Sequence, residues 1–347
     1  MPGRILVFKP CCMGDVLFTT PLLAVIRAAY PSSHLTVATG AWSAPVLAGN
    51  PHVDAIFDVP SRIGLRDLWR WAGRIRAERF DLALVPDRSP VYGMLVALAG
   101  IPRRAGLDSG GRGFLYTDRI PIGPDDHAVH EADLYGRVGT AIGAPPIAGQ
   151  GTEYRPPADA VARIGSMIAE RGWQSPLWVI HPGGGVNPGM ALTPKRWPPE
   201  RFAALADELV GMHGGTALLL GTETDADAVR AVRDAMRHPS VDLSGALDFG
   251  TGQALAQRSA LYIGNDTAMT HCALAGGART LAIFGPTDPR QYGLYGGRGI
   301  IVVGHMPWSP CFRRGRLACT CGTIHCMDSV TVAAVRAAAE QIIGAPD

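Results

Sequence analysis

One acidic residue, Asp15, lies in a segment with almost no other polar side chain that could do chemistry. The segment "KPCCMGDVLFTTPLL" starts at Lys9 as the end of an apolar strand and finishes as the beginning of a helix. A single carboxylate at such a turn can accept a proton from an attacking hydroxyl group and so act as a general base. Alternatively, a turn aspartate can accept hydrogen bonds from its own backbone. The spacing by itself leaves both interpretations open.

A glycine-rich stretch and a lysine in the second half of the chain favour phosphate binding. The stretch "GGGVNPG" (183–189) follows an apolar strand and could bring backbone N–H groups close to phosphate oxygens. Lys195 then precedes a helix that has Pro198 and Pro199 in its first turn. A lysine beside a helix N-terminus is well suited to a diphosphate group. A solvated lysine without a ligand is the alternative for this position.

A third group of polar residues lies in "GNDTAMTHCALAGG" (264–277), where a strand ends and a helix follows. Asn265 or Asp266 is expected to cap this helix, and Thr267 with the first-turn N–H groups is expected to face a ligand. His271 lies four or five residues further along, so it can face the same ligand. A plain capping role for Asp266, without any ligand, is the alternative.

The elements that must position these residues alternate between short apolar strands and amphipathic helices. Such alternation indicates parallel sheets covered by helices on both faces. Ligands of these sheets bind at the carboxyl ends of the strands, which is where the polar groups described above are placed. The predicted strands are 4–9, 34–39, 55–59, 81–87, 177–182, 216–221, 259–264 and 280–285, and the predicted helices are 21–30, 41–49, 65–80, 198–214, 225–237, 267–277 and 329–343.

The alternation stops at "GTEYRPPADA" (151–160), which is rich in Gly, Pro and polar residues and is interpreted as a linker. The sequence therefore predicts two doubly wound, Rossmann-like α/β domains, residues 1–155 and 156–347, whose strand ends face each other across a cleft. On this interpretation the last helix, 329–343, belongs to the second domain and can pack back on the N-terminal domain.

Composition limits the functional classes. The net charge of +2 over 347 residues predicts no strong global field, so nucleic-acid binding is not expected. The longest apolar run, 91–101, is too short for the ~20 residues that cross a bilayer, and the N-terminus lacks the apolar stretch of a signal peptide. The expected location is the cytoplasm, where thiols stay reduced.

The chain contains seven cysteines, of which Cys11 and Cys12 are adjacent and Cys272 lies in a predicted helix. The other four occur near the C-terminus, and their spacing does not match the paired C-x2-C pattern of common zinc sites. Four thiols in one loop can nevertheless reach one ion. A metal or oxidisable cluster and a reduced, partly buried loop both remain open for Cys311, Cys319, Cys321 and Cys326.

Four segments resemble, in the right order, the signature segments of glycosyltransferase family 9, the ADP-heptose–lipopolysaccharide heptosyltransferases. They are "ILVFKPCCMGDVLFTTPLL", "TPKRWPPERFAALADEL", "GNDTAMTHCALAGG" and "LAIFGPTDP", and the similarity extends from residue 4 to about 290. The resemblance implies a GT-B fold, with the acceptor on the N-terminal domain and the nucleotide sugar on the C-terminal domain. It also implies an inverting transfer that uses ADP-heptose as the donor substrate and needs no metal or other cofactor.

The resemblance implies roles for individual residues. Asp15, in the G-D-V/I-L turn, corresponds to the proposed general base, and the neighbouring Gly14 belongs to the acceptor side. Lys195 is implied to bind the donor diphosphate. The remaining donor contacts implied are the ribose for Glu223, the sugar hydroxyl groups for Asp266, and the phosphate region for Thr193, Thr267 and His271.

A stripe of arginines is predicted along one face of the helix at 65–80. Its members recur every four residues, which places them on the same side of a helix, and they are Arg62, Arg66, Arg70 and Arg74. The stripe would attract an anionic acceptor, for which Arg62 and Arg66 are the candidates, or the headgroups of a lipid surface. A solvated arginine face is the alternative.

The functional hypothesis is a glycosyltransferase that moves heptose from ADP-heptose to a hydroxyl group of the lipopolysaccharide inner core. Its expected partners are a nucleotide sugar and a glycolipid or other hydroxyl acceptor, with peripheral contact at the inner membrane surface. One alternative keeps the donor but uses a protein or a small metabolite as acceptor, with a cysteine-bound metal joining the subunits of an oligomer. The other alternative is a catalytically silent protein that binds nucleotide sugars.

Overall fold

The chain forms two compact units, Met1–Glu153 and Tyr154–Asp347. No helix in the part of the chain that is described is long and apolar enough to cross a membrane. The residues that the computed structural model describes are 2–187, 190–307, 309–313, 316–317 and 325–345.

The first unit is built on a parallel sheet of six strands. The strands are β1 (Arg4–Phe8), β2 (His34–Thr39), β3 (Ala55–Asp58), β4 (Leu82–Val85), β5 (Arg103–Ser109) and β6 (Asp118–Ile122). The helices are α1 (Met13–Leu17), α2 (Thr20–Ala29), α3 (Leu68–Ala77), α4 (Pro90–Leu98) and α5 (Glu131–Ala141). The sheet order is β3-β2-β1-β4-β5-β6. Because the central strands are buried on both faces, they appear in the sequence as continuous apolar runs.

The second unit repeats this architecture. Its strands are β7 (Leu177–His181), β8 (Val186–Asn187), β9 (Met190–Ala191), β10 (Thr216–Leu219), β11 (Ser240–Asp242), β12 (Leu261–Asn265), β13 (Thr280–Phe284), β14 (Gly299–Val303), β15 (Phe312–Arg313) and β16 (Arg316–Leu317). The main sheet has the order β11-β10-β7-β12-β13-β14, and β8 pairs with β9 and β15 with β16. The helices are α6 (Ala158–Arg171), α7 (Pro199–His213), α8 (Ala226–Ala235), α9 (Phe249–Arg258), α10 (Ala268–Ala275), α11 (Pro289–Tyr292), α12 (His325–Asp328) and α13 (Val332–Ile343).

The predicted strands and all but one of the predicted helices are present, but the prediction lacked several elements, including α6, β11, α9 and β14. The helix predicted at 41–49 is wrong, because only one 3-10 turn forms there, Ala44–Leu47. Pro45, in the middle of the predicted helix, has no backbone N–H to donate and is tolerated only in the first turn, and Gly49 at its end takes a left-handed conformation with a φ of 69°. Between the fourth and seventh strands the apolar periodicity did not reveal α4, β5, β6 and α5. The last helix, α13, packs against α7 and β14 within its own unit.

One buried amide connects three loops at the carboxyl end of the second sheet. Because β7 and β12 are parallel neighbours, the residues that follow them leave the sheet side by side. Asn265, with no exposed surface, donates from Nδ2 to the carbonyl oxygens of Pro182 at 2.9 Å and Gly183 at 3.1 Å. Its Oδ1 accepts the backbone N–H of Trp197 at 2.9 Å. The loop after β7, the loop after β12 and the segment before α7 are thereby fixed to one another.

We expect Asn265→Ala to lower the free energy of unfolding by at least about 3 kcal/mol, because three buried backbone groups lose their partner. Asn265→Asp keeps the size of the side chain but replaces both N–H donors with an acceptor that faces two carbonyl oxygens. It should therefore be at least as destabilising as the alanine variant. Chemical denaturation of both variants provides the measurement, and a nearly neutral Asn265→Asp would mean that packing, not hydrogen bonding, holds these loops.

Candidate active site

The predicted base, Asp15, lies in α1, and three polar residues of the first unit surround it. The Tyr135 hydroxyl group donates to Asp15 Oδ1 at 2.8 Å, and Lys9 Nζ lies 3.8 Å from the same oxygen. Lys9 also forms an ion pair with Asp87 at 2.9 Å and lies 4.7 Å from the centre of the Tyr135 ring. We call these four residues, Lys9, Asp15, Asp87 and Tyr135, the Asp15 cluster.

The electrostatics of the Asp15 cluster keep Lys9 charged and Tyr135 neutral. Burial would lower the pKa of Lys9, but the carboxylates of Asp87 and Asp15 outweigh it and raise that pKa well above its usual value. Burial and the Asp15 carboxylate together raise the pKa of Tyr135 well above its usual value. Tyr135 therefore stays a hydrogen-bond donor at neutral pH. Among the described residues, both contacts of the Asp15 carboxylate involve Oδ1, and its side chain is 34% exposed.

The predicted acceptor residues, Gly14, Arg62 and Arg66, differ in how close they lie to the Asp15 cluster. Gly14 precedes Asp15 in α1. Burial and Asp87 raise the pKa of Tyr92 to about 12, whereas the positive charges of Lys9 and Arg62 act in the opposite direction. The guanidinium of Arg62 is thus close enough to act on the same tyrosine as Lys9. Arg66 is exposed in the 3-10 turn before α3, and nothing in the structure brings it into contact with the Asp15 cluster.

The cysteines just before α1 differ from the expectation of reduced thiols. Cys11 and Cys12 are joined by a disulfide, so that expectation is wrong for this pair. The expectation rested on the cellular compartment alone. It did not consider that Cys11 and Cys12 are adjacent in the sequence, which places their thiols side by side. Cys272, Cys311 and Cys326 are buried.

In the second unit, Asp266 forms the centre of a buried charged group. Its Oδ2 accepts from Lys195 Nζ at 2.6 Å, and its Oδ1 lies 3.2 Å from His271 Nε2. Burial would raise the pKa of Asp266, but Lys195 and His271 outweigh it and hold that pKa well below its usual range. Lys195 Nζ also lies 4.8 Å from the centre of the Phe312 ring. The structure therefore brings together three of the predicted donor residues.

Asp266 does not cap the helix that follows it. The N-cap of α10 is Thr267, which has an extended backbone and whose Oγ1 accepts the backbone N–H of Thr270. The expectation that Asn265 or Asp266 caps α10 is therefore wrong. β12 continues to Asn265, which moves the start of the helix one residue further along the chain. The Asp266 carboxylate is thus left to bind side chains rather than the helix backbone.

A second buried carboxylate, Asp225, holds the glycine loop that follows β7. Its Oδ1 accepts the backbone N–H of Gly184 at 2.8 Å and pairs with Arg196 at 3.0 Å. Its Oδ2 accepts from the Thr222 hydroxyl group at 2.7 Å and lies 3.8 Å from His181 Nε2. Burial alone would raise the pKa of Asp225, but these contacts lower it.

The glycine loop itself requires glycine at two positions. Gly184 and Gly185 have φ values of 92° and 80°, a conformation that L-residues with side chains rarely adopt. A Cβ on Gly184 would overlap the Thr267 side chain, and one on Gly185 would lie 2.6 Å from the Leu192 carbonyl oxygen. The loop therefore lies directly against the start of α10. Residues 188 and 189 of the predicted phosphate-binding stretch are outside the described part of the chain.

The other predicted donor residues are accessible. Thr193 is exposed in the 3-10 turn that ends at Lys195. Glu223 is exposed in the 3-10 turn after β10. Of the four C-terminal cysteines, Cys319 and Cys321 are outside the described residues. Within the described ranges, no group of three His, Cys, Asp or Glu side chains is placed to hold a metal ion.

The sequence did not single out several residues of both groups. Tyr135 lies in α5, a helix that the periodicity did not reveal. Asp225 lies shortly after the predicted strand 216–221, and that position at the carboxyl end of a strand was a usable signal. Arg196 is adjacent to Lys195, so the position before a helix that singled out Lys195 applies to Arg196 as well. Phe312 lies far away in the chain, and no local pattern relates it to Lys195.

Comparisons with known proteins identify a family and several relatives. Residues 68–320 match the sequence profile of "Glycosyltransferase family 9 (heptosyltransferase)". The "Lipooligosaccharide heptosyltransferase 2" of Haemophilus influenzae is 25% identical over 303 residues, which cover 83% of this chain and 84% of that protein. The "Lipopolysaccharide heptosyltransferase 2" of Salmonella typhimurium is 25% identical over 301 residues, which cover 82% and 84% of the two chains.

Solved structures show the same fold. A family 9 glycosyl transferase from Veillonella parvula superposes with a TM-score of 0.82 at 24% identity and covers 98% of this chain and 97% of that one. The E. coli ADP-heptose lps heptosyltransferase II gives a TM-score of 0.77 at 20% identity, with 98% of each chain covered. The predicted α/β fold of the GT-B type, with two doubly wound domains, is confirmed.

We expect Asp225→Ala to lower the free energy of unfolding by about 3–5 kcal/mol, because it leaves the partly buried Arg196 without its counter-ion. Asp227→Ala, two residues along the chain and almost fully exposed, is the matched control and should change stability by less than ~0.5 kcal/mol.

The same pair of variants tests the pH dependence. The pKa of Asp225 is lowered in the folded protein, so its contribution is complete above the unfolded pKa of about 4 and is lost as the pH falls below it. The stability difference between the wild type and Asp225→Ala should therefore be constant from about pH 5 to 8 and shrink in more acidic solution. A difference that grows towards acidic pH would contradict the assignment.

Proposed function

Because this chain belongs to glycosyltransferase family 9, we propose that it is an inverting enzyme that transfers heptose from ADP-heptose to a hydroxyl group of a lipopolysaccharide inner-core acceptor, in the cytoplasm. The names of the two curated relatives support the transferred sugar and the class of acceptor. The observation that carries the proposal is the pairing of Lys195 with Asp266. It puts a cation suited to a diphosphate beside a carboxylate suited to sugar hydroxyl groups.

Asp15 acts as the general base in the proposed reaction. The acceptor hydroxyl group has a pKa far above 7, so a base must remove its proton as the oxygen attacks the anomeric carbon. Tyr135 and Lys9 hold Oδ1 of Asp15, which directs Oδ2 to the acceptor. One carboxylate is enough, because a single displacement inverts the anomeric carbon without a covalent intermediate. Gly14, Arg62 and Arg66 are proposed to contact the acceptor.

Lys195 neutralises the charge that grows on the leaving diphosphate as the glycosidic bond breaks. Such a contact is stronger in the transition state than in the ground state, so it accelerates the reaction. Asp266 accepts hydrogen bonds from the heptose hydroxyl groups while it keeps Lys195 in place. Glu223 is proposed to contact the ribose, and the phosphate region is assigned to Thr193, Thr267 and His271. No metal takes part in the proposed mechanism.

Asp15→Asn should lower the turnover number by ~10²–10⁴, which is the usual contribution of a general base. Its affinity for the donor should stay within about twofold of the wild type, because the donor residues belong to the second unit. The assay measures release of ADP from ADP-heptose in the presence of a heptose-free lipopolysaccharide core. Asp58→Asn, which changes an exposed carboxylate at the end of β3, is the control and should keep full turnover. Equal turnover in Asp15→Asn and the control would remove Asp15 from the mechanism.

Lys195 and Asp266 should be distinguishable by titration calorimetry with two ligands, ADP and ADP-heptose. Lys195→Ala should weaken the binding of both, since both contain the diphosphate. Asp266→Asn keeps an acceptor oxygen for Lys195 Nζ, so it should weaken ADP less than ADP-heptose, which also loses hydrogen bonds to a charged group worth roughly 1.5–3 kcal/mol. If Asp266→Asn weakened the two ligands equally, its carboxylate would serve only to order the loop. Binding of a uridine or guanosine diphosphate in place of ADP would show that the donor is wrong.

A further inference from the structure

Two large apolar side chains project into solvent at the start of α3. Leu65 is 65% exposed and Trp69 is 72% exposed. They are four residues apart, across the 3-10 turn and the first turn of α3, so they lie on the same side of this segment. The opposite side is buried in the core of the first unit through Leu68, Trp71 and Ile75. A cluster of exposed large apolar side chains on a folded domain usually marks a contact surface.

Positive charge surrounds this apolar pair. Residues 62–79 contain six arginines and two acids, a net charge of +4, whereas the whole chain carries +2. Arg66 has no hydrogen-bond or ion-pair partner among the described residues. Arg70 pairs with Asp67 at 2.9 Å, but both side chains are about half exposed or more, so the pair is screened and weak. The two arginines next to Leu65 and Trp69 are thus available to an anionic partner.

Other arginines of the segment are held against the protein. The Arg74 guanidinium lies 4.3 Å from the centre of the Trp71 ring, and Arg76 donates to the Leu98 carbonyl oxygen at 2.6 Å. These contacts fix the helix on the core. The outward surface is therefore formed by Leu65, Arg66, Trp69 and Arg70, which we call the α3 patch.

The α3 patch begins after β3, the edge strand of the sheet in the first unit. Asp15 follows β1 of the same sheet. A Cβ on Gly40 would lie 2.9 Å from Ser61 Oγ and 3.2 Å from the Pro10 carbonyl oxygen. The loops after β1, β2 and β3 are therefore in contact at the carboxyl ends of the strands. A partner surface in contact with the α3 patch would therefore lie on the same side of the first unit as the loop that leads to Asp15.

We propose that the α3 patch docks the protein on an anionic phospholipid bilayer. Tryptophan and leucine fit the headgroup region of a membrane, where an aromatic ring is partly apolar and partly wet. Arginines beside them bind lipid phosphates and are attracted by the negative surface potential of the leaflet. A protein partner would need a matching acidic surface with an apolar pocket, whereas the short, exposed α3 patch can insert into a fluid surface that has none. The proposal does not depend on sugar transfer.

The test is co-sedimentation of the full chain with vesicles of phosphatidylethanolamine and phosphatidylglycerol, compared with phosphatidylcholine vesicles, none of which contain glycolipid. We expect binding to the anionic vesicles and at least tenfold weaker binding to phosphatidylcholine. Arg66→Glu/Arg70→Glu should weaken binding at least about 20-fold, since each basic residue near such a surface contributes roughly a factor of five. Leu65→Ala/Trp69→Ala should weaken it at least about fivefold.

Two control variants match these changes elsewhere in the chain. Arg230→Glu/Arg233→Glu reverses two exposed arginines on α8, one of which pairs with an acid three residues away, as Arg70 does. Met212→Ala removes an exposed apolar side chain, 49% accessible, on α7. Both should bind vesicles like the wild type. Equal binding to the two kinds of vesicle would overturn the proposal, and so would equal losses in the controls. The proposal would also be wrong if the patch variants bound vesicles normally but lost binding of a water-soluble phosphorylated core oligosaccharide.

Discussion

The buried charge of Asp266 is the constraint on which the second unit depends. A carboxylate removed from water must be matched by positive charge and hydrogen bonds, and Lys195 and His271 provide both. Asn265 fixes the segment before α7, which contains Lys195, to the end of β12. The stability of these loops and the position of the proposed diphosphate ligand are therefore consequences of the same contacts. A ligand that binds here meets side chains that are already arranged, which lowers the ordering cost of binding.

In the first unit the buried charge is positive, and neighbouring carboxylates balance it. Lys9 is buried and remains charged because Asp87 and Asp15 lie beside it. The Asp15 carboxylate, the proposed base, lies 3.8 Å from that positive charge. A weak base is sufficient for the proposed reaction, because a nucleotide diphosphate leaves readily and the proton transfer can accompany the attack. The Tyr135 hydroxyl group adds orientation without adding charge.

Part of this arrangement was predictable from the sequence. Strong apolar runs at β1, β7 and β12 predicted the sheets, the parallel topology placed Asp15 and Asp266 at strand ends, and the proline-rich helix start singled out Lys195. Tyr135 and Phe312 were not predictable, since each approaches its partner from a distant part of the chain and no local spacing records that contact. The cap of α10 was missed by one or two residues, because Asn, Asp and Thr are all good N-caps and only the hydrogen bonds of Asn265 to neighbouring loops decide which one serves.

Mass spectrometry, with NMR of the new anomeric centre, of a heptose-free lipopolysaccharide core incubated with the protein and ADP-heptose tests the central claim most directly. The account predicts that the acceptor gains one heptose residue, that ADP appears in equal amount, and that the anomeric configuration of the new bond is inverted relative to the donor. Release of ADP without any heptosylated acceptor, or a product that retains the donor configuration, would contradict it.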